Sequence, residues 1–213
     1  MMQDKSIVTM GLGINDPKGI FGTTKGLNKI FGNKRVLETP TSENAITGIA
    51  VGAAIEGLRP IITHQRVEFS LLSMEQIINQ AAKWYFLSGG KYKVPIVIRL
   101  IIGKGWGQGP QHSQSLETLF SHIPGLKVVS PSNAYDAKGL LTSSIKDNHP
   151  VIFFEHRWLH NIEEKVPRKL FTVPIGKAKV LQKGKDLTII SFSEAIVQVL
   201  RTRQILKKSN ISA

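Results

Sequence analysis

Three short segments of the sequence bring together side chains that can move protons or hold charge. The first is Thr39-Pro40-Thr41-Ser42-Glu43-Asn44. It follows an apolar run at 36–38 and opens a helical pattern, with Thr41 or Ser42 as the candidate N-cap, so Glu43 falls in the first turn. An acidic residue there complements the helix dipole, and that alone accounts for the bare pattern. The residues that follow are less ordinary. Gly48-Ile49-Ala50-Val51-Gly52-Ala53-Ala54 makes a helix apolar on nearly every side, with two glycines that each cost roughly 1 kcal/mol against alanine. Such a helix is expected where another backbone lies very close, at a buried domain or subunit contact. A carboxyl at the start of a buried helix is partly withdrawn from water, which suits it to proton exchange near neutrality.

The second segment, from Gly103 to Gln114, is a glycine-dense loop after an apolar run. Its G-x-G-x-G appearance invites a dinucleotide reading, but Lys104, Trp106 and Pro110 stand where a tight phosphate turn and its helix should be. Its place at the carboxyl end of a strand, where open α/β sheets bind ligands, instead points to His112 as a site residue. The third segment, His64-Gln65-Arg66-Val67-Glu68-Phe69, also follows a strand, as do His156, Arg157 and His160. Three strand ends thus carry cationic or proton-active side chains. No nucleophile–base pair and no metal-ligand spacing is legible among them.

Positioning these segments requires alternating strands and helices. Apolar, β-branched runs predict strands over 6–10, 36–38, 59–63, 95–100, 127–129 and 151–155. Helices are expected at 24–31, 43–56, 70–85, 116–122 and 134–146. In 70–85, Leu71, Met74, Ile78, Ala81 and Tyr85 recur at three- and four-residue intervals and predict a core-facing stripe. The fold class is therefore α/β, with a largely parallel sheet flanked by helices. We expect a first domain over 1–160, a linker over 161–174 that is rich in charge and proline, and the beginning of a second α/β domain over 175–213. In that last unit 187–191 reads as a strand, 194–208 as a helix and 211–213 as the start of another strand, too little apolar surface to close its own core.

Composition narrows the function classes. The 213 residues are 41% hydrophobic, enough for a sizeable core. There is no cysteine, which excludes disulfides, thiolate chemistry and Cys-ligated metals. The apolar run at 94–102 is interrupted by Pro95 and Arg99 and falls well short of the ~20 residues of a membrane span. The polar opening residues carry no signal-peptide pattern, so a cytoplasmic protein is expected. The 28 Lys and Arg against 15 Asp and Glu give a net charge of +13. These cations are scattered in ones and twos, which argues for general solubility or an acidic partner subunit over nucleic acid.

With these segments in place, the run from Gly11 to Glu155 resembles the beta subunits of pyruvate, branched-chain 2-oxoacid and acetoin dehydrogenases. The resemblance rests on Gly19-Ile20-Phe21 with Gly26-Leu27, Thr39-Pro40-Thr41-Ser42-Glu43, Gly48 to Ala54, Gly57-Leu58-Arg59-Pro60, Gln111-His112-Ser113-Gln114 and Pro124 to Val129. Asp136-Ala137-Lys138-Gly139-Leu140 and Pro174-Ile175-Gly176-Lys177-Ala178 extend it. It implies a pyrimidine-binding domain of the transketolase type, followed by the start of a transketolase C-terminal domain. It further implies that Glu43 shares a proton with the aminopyrimidine ring nitrogen of thiamine diphosphate, readying the coenzyme for attack on a 2-oxoacid. Phe69 matches the aromatic that stacks on the pyrimidine, Gln65 lies beside it in the cofactor-binding segment, and His112 matches the histidine near the reacting carbon. Ile96, Ser144, Asp147 and His149 fall where some relatives bind a structural potassium ion, largely through backbone oxygens.

The Gly-Asp-Gly element that holds Mg²⁺ and the diphosphate in this superfamily occurs nowhere in the chain. The resemblance therefore implies an alpha subunit that supplies that half of the site, in an α2β2 heterotetramer, with a lipoyl acyltransferase core as a further partner. Three departures stand out. Gly11-Leu12-Gly13 replaces an acidic segment thought to couple paired sites; the helix that usually precedes the position of Asp4 is missing and the second domain is cut short; and 64–66 and 155–160 are more basic than in the dehydrogenases. Oxidative decarboxylation with a lipoyl acceptor is the leading expectation. A split transketolase-like carboligase acting on a sugar or phosphorylated substrate stays open, as does a non-catalytic subunit that keeps the fold.

Overall fold

The computed structural model describes residues 1–213. Six strands, β1 (Ile7–Gly11), β2 (Val36–Glu38), β3 (Arg59–His64), β4 (Val97–Ile102), β5 (Lys127–Val129) and β6 (Val151–His156), form one sheet in the order β2-β1-β3-β4-β6-β5. Every pairing is parallel. The central strands are buried along almost their whole length, as expected of a sheet covered on both faces.

Alternation along the strands divides the core in two. Val8, Met10, Ile62, Ile98, Leu100, Ile152 and Phe154 face one side and pack against Ala50, Val51 and Ala54 of α2 (Glu43–Ile55), against Ile77 and Ala81, and against Phe120 of a short helix, α4 (Glu117–Ser121). Ile7, Ile61, Val97, Val151 and Phe153 face the other side, against Leu140, Leu141 and Ile145 of α5 (Ala134–Lys146). Asn133 caps α5 by accepting the Asp136 amide at 2.7 Å. A third, smaller cluster of Ile14, Ile20, Val36 and Ile101 seats α1 (Leu27–Phe31).

The expected helix over 70–85 is present as a helical path whose winding changes. Val67–Ser73 is 3-10, Gln76–Ala81 is π, and Trp84–Leu87, here α3, is α-helical. The buried stripe is Val67, Ser70, Ser73, Ile77 and Ala81, one position away from the predicted one at its start, and Leu71 and Tyr85 are exposed. The reason is chemical. Ser70 and Ser73 turn their hydroxyls back to the carbonyls of Val67 (2.5 Å) and Ser70 (3.0 Å), so polar residues occupy the inner face at three-residue spacing.

Residues 161–174 have no regular structure but are tied to α5. Val173 donates to the Gly139 carbonyl (3.2 Å), Ser143 donates to the Val173 carbonyl (2.5 Å), Lys138 donates to the carbonyls of Pro167 and Arg168, and Phe171 stacks on Tyr135 with centroids 4.4 Å apart. Beyond them α6 (Ala195–Lys208) forms as expected, with no buried residue. Neither 187–191 nor 211–213 becomes a strand. A strand needs a neighbouring ladder, and the backbone contacts here reduce to Lys185 and Asp186 donating to the Ser212 carbonyl.

Gly139 is the point where this strap meets α5. A β-carbon there would run into the Val173 side chain and lie 2.8 Å from Phe171. Gly139→Ala should therefore destabilise the chain by about 1–3 kcal/mol from overpacking, outweighing the ~1 kcal/mol that alanine gains in a helix. Denaturant unfolding measures this, and an unchanged or raised midpoint would show that the strap does not press on α5.

Candidate coenzyme crevice at the β1–β3 parting

From β1 the chain leaves for β2 on one side of the sheet, and from β3 it leaves for β4 on the other. Such a reversal opens a crevice at the carboxyl ends of the two strands, where open α/β sheets take ligands. Here that crevice is lined by Leu12 after β1, Pro40, Glu43 and Ile46 after β2, and Thr63, His64, Gln65 and Phe69 at and after β3. Its free volume is small, about 10 Å³, and it is partly open to solvent.

Each lining group is set by a local device. Ser42 is the N-cap of α2 by backbone geometry, with φ −157° and its carbonyl accepting the Ile46 amide at 3.0 Å, and without a capping hydroxyl bond. This puts Glu43 in the first turn, half-buried, facing the crevice and engaged in none of the chain's ion pairs. The Gln65 side chain donates to the Leu12 carbonyl (2.9 Å), fastening the loop after β1 to the end of β3. Glu38 accepts the amides of Gly13 (2.5 Å) and Asn15 (2.9 Å) and holds the same loop from its other side. Gln65 thus lines the crevice while its amide nitrogen serves to position the wall. Phe69 meets His112 edge to face, with centroids 5.5 Å apart.

The loop that carries His112 is fixed from both sides. Trp106 Nε1 donates to the His112 carbonyl (3.0 Å) and to Ser113 Oγ (2.8 Å), and Glu68 accepts the Gln114 amide (2.7 Å). Of the residues singled out in the sequence, Glu43, Gln65 and Phe69 line the crevice, and His112 stands against Phe69 outside that lining. Sequence reasoning did not single out His64 as a site residue. It is 3% exposed, its Nε2 has no partner, and burial lowers its pKa from 6.5 to about 4, so the imidazole is neutral. His64 lies on the same sheet face as α2, in register with Ile62 and opposite Leu100, and only the three-dimensional parting of β1 and β3 shows that this face ends in a crevice.

Ile96, Ser144, Asp147 and His149 also gather, beside the end of α5 and the start of β6. The acceptors there are already matched. Arg59 donates to the carbonyls of Ile145 and Asp147 (2.9 Å each), Lys127 pairs with the Asp147 carboxylate (2.6 Å), the Ile96 carbonyl accepts the Val151 amide (3.0 Å), and Ser144 donates to Leu140 (2.8 Å). Two side-chain cations of the chain supply the positive charge at this corner, and a potassium ion would compete with them.

A doubly covered parallel sheet with a carboxylate and an aromatic ring at its switch point is an open α/β domain of the kind that takes ligands there. Residues 1–161 match the family model described as "Transketolase, pyrimidine binding domain". The chain belongs to this family. It is 46% identical to the pyruvate dehydrogenase E1 component subunit beta of Porphyra purpurea, over 91% of the chain and 58% of that protein. It is 42% identical to the acetoin:2,6-dichlorophenolindophenol oxidoreductase subunit beta of Cupriavidus necator, over 100% of the chain and 66% of that protein. The chain thus spans about three fifths to two thirds of the length of these relatives. A solved structure described as a split-gene transketolase, inactive beta4 tetramer, superposes with a TM-score of 0.80 at 20% identity, covering 100% of this chain and 64% of the other, and shows the shared fold. No helix is long and apolar enough to cross a membrane.

Two outcomes follow for stability. His64 stays neutral in the fold but takes a proton in the unfolded chain below pH 6.5, so its contribution is fully present above that value and is lost as pH falls toward 4. The loss amounts to about 3 kcal/mol, and His64→Phe should flatten the stability–pH curve across this window. A variant with the wild-type slope would show that His64 is not the buried group responsible. At the Arg59 corner, replacing NaCl by KCl at equal ionic strength should leave the melting midpoint unchanged, whereas a rise of several degrees would reveal a resident potassium ion.

Proposed function

We propose that this chain is the pyrimidine-activating half of a thiamine-diphosphate-dependent 2-oxoacid dehydrogenase of the pyruvate or acetoin type. The observation that carries the reading is Glu43, half-buried in the first turn of α2, in one crevice with Phe69, whose ring meets that of His112. Walls of Leu12, Pro40, Ile46 and Phe69 with one carboxylate beside them suit the chemistry of a flat nitrogen heterocycle, and the gap between them widens to admit one. When bound, thiamine diphosphate supplies a nucleophilic carbon and takes up the electrons released on decarboxylation.

The chain's own residues divide the remaining work. Glu43 Oε holds the proton shared with the ring nitrogen, and Phe69 packs on the ring face. His112 exchanges a proton with the substrate oxygen. Gln65 and Glu38 tether the loop after β1, which forms one wall of the slot. A closed site would strengthen the Glu43 interaction by excluding water.

In this reading Mg²⁺ and the diphosphate are held by an alpha subunit, in keeping with the absence of Gly-Asp-Gly here. The outer face of α2 supports a second polypeptide. Ile49 is 64% exposed and Gly52 meets no atom of its own chain, while Leu72, Phe86 and Leu87 are exposed on the neighbouring helical path. At Gly48 the close approach is made by the Gln76 side chain, 3.2 Å from where a β-carbon would stand, while at Gly52 it is left open. An α2β2 assembly, a lipoyl acyltransferase core and a small 2-oxoacid substrate complete the proposal.

Replacing Glu43 with Gln in the assembled enzyme should lower turnover by about 10²–10⁴-fold, the range of a lost acid–base contribution, with assembly and far-UV circular dichroism unchanged. A lipoyl domain should be acylated by the wild-type complex. Full activity in the Gln variant would defeat the coenzyme reading. Release of a ketol with the lipoyl group unmodified would move the chain to the carboligases.

A further inference from the structure

A second cavity opens on the seam between the end of β6 and the start of α6. It measures about 510 Å³, within the size range of small-molecule sites, and shares no lining residue with the crevice. Three parts of the chain wall it: Lys104 from the loop after β4, His156 and Trp158 from β6 and the turn that follows, and Glu194, Gln198 and Arg201 from α6 and its cap. The base of α6 is seated at this seam, because Ser193 is 4% exposed and is the only buried residue after position 160.

Trp158 is held by its edge and leaves its ring open. Nε1 donates to the Lys104 carbonyl (2.8 Å) and the Trp158 amide donates to His156 Nδ1 (3.3 Å), yet the residue is 53% exposed. Trp106 shows the alternative. Phe21 packs beside it with centroids 6.2 Å apart, and the Arg66 and Arg157 guanidiniums stand 5.9 and 6.0 Å from its ring centre. No aromatic ring and no cation of the chain covers Trp158 in this way. An indole pinned in place with a bare face is a platform on which a flat ring can stack.

The polar groups around the indole are also unmatched. Neither Lys104 Nζ nor the Arg201 guanidinium takes part in an ion pair. Glu194 accepts the Gln198 side-chain amide on one oxygen (2.8 Å) and has the other free. His156 is almost fully buried, and burial lowers its pKa against the pull of Glu194, so the ring is neutral. Since Nδ1 accepts the Trp158 amide, the proton of the neutral ring is on Nε2, which has no partner in the chain. Exposed lysines and arginines are ordinary on a chain of charge +13. Their meeting with a bare indole, a free carboxylate oxygen and a buried donor in one cavity is not.

We propose that this cavity is a nucleotide site. The base stacks on Trp158, the ribose hydroxyls meet the free oxygen of Glu194 and His156 Nε2, and Lys104 and Arg201 hold the phosphate. A carboxylate for the ribose beside cations for the phosphate is a division that nucleotide sites of α/β folds use. Simpler ligands fit less well: an inorganic anion leaves the indole bare and faces Glu194, and an uncharged ring leaves both cations unmatched. The inference goes beyond the coenzyme crevice and does not depend on it.

Calorimetric titration of the full chain with adenosine monophosphate, adenosine and ribose 5-phosphate tests this. Adenosine monophosphate should bind at least ~10-fold more tightly than either fragment, since each fragment lacks one of the two anchors. Trp158→Leu should weaken adenosine monophosphate by ~10-fold and leave ribose 5-phosphate unchanged. Arg201→Met and Lys104→Met should each weaken adenosine monophosphate by ~10-fold, the loss of about one charge-assisted hydrogen bond, and leave adenosine unchanged. Trp158→Phe should retain part of the affinity, and it decides the matter should the leucine variant unfold. Lys34→Met, beside edge strand β2 on the far side of the sheet, should bind as wild type. No binding of adenosine monophosphate, ribose 5-phosphate that binds as tightly, variants of Trp158, Lys104 or Arg201 that bind as wild type, or equal weakening by Lys34→Met would overturn the assignment.

Discussion

The site depends on how close two parallel strands stand at the point where the chain departs from them in opposite directions. A β-carbon on Gly11, the last residue of β1, would lie 2.6 Å from the Thr63 carbonyl of β3, so a bare backbone is required at that step. Just beyond it the strands part, and the loop after β1 is held open by Glu38 and Gln65. Hydrogen bonds donated by backbone amides to a carboxylate are among the stronger ones available to a surface loop. They let three chain segments, distant in sequence, converge on one slot without any of them being a regular element there.

Charge follows a different rule inside the sheet than at its carboxyl edge. Arg99 is matched to Glu155 and Lys127 to Asp147, while Arg59 is spent on the carbonyls that end α5. In each case the cation fixes one element against another. Past the strand ends the acceptors run out, and the cations rest on aromatic faces and amide oxygens. The net charge of +13 is therefore less informative than its local balance, because what separates Arg99 from Arg157 is a partner and not a position along the chain.

Much of the fold was legible in the sequence for the same reason that some of it was not. The strands at 36–38 and 127–129 and the helix at 134–146 have the predicted bounds because their apolar spacing or their cap reports directly on burial. The path from Val67 to Leu87 was misread because Ser70 and Ser73 bury hydroxyls satisfied by their own backbone, and a pattern of hydrophobicity treats them as surface. Extended residues at 187–191 were read as a strand from composition, yet strands exist only in pairs. In the site, Glu43 and His112 could be picked out from motif and strand-end position, and Phe69 only through the resemblance. The burial of His64, and the meeting of Arg66 with Arg157 over Phe21, depend on which strand lies beside which, and periodicity within one segment carries no information about that.

The slot is also incomplete in a physical sense. The exposed wall of α2 at Ile49 and Gly52 adds little to the stability of this chain, and the helical glycine there lowers it. A second surface laid against that wall would recover apolar area and close the side of the crevice on which Glu43 stands. The carboxylate would then lose water at the same moment as the heterocycle gains a neighbour, so that assembly and proton exchange become one event. His64, already desolvated by the chain's own core, needs no such partner to be neutral. On the proposed reading the two groups differ in what prepares them: folding already desolvates the histidine, whereas the glutamate would be prepared by association.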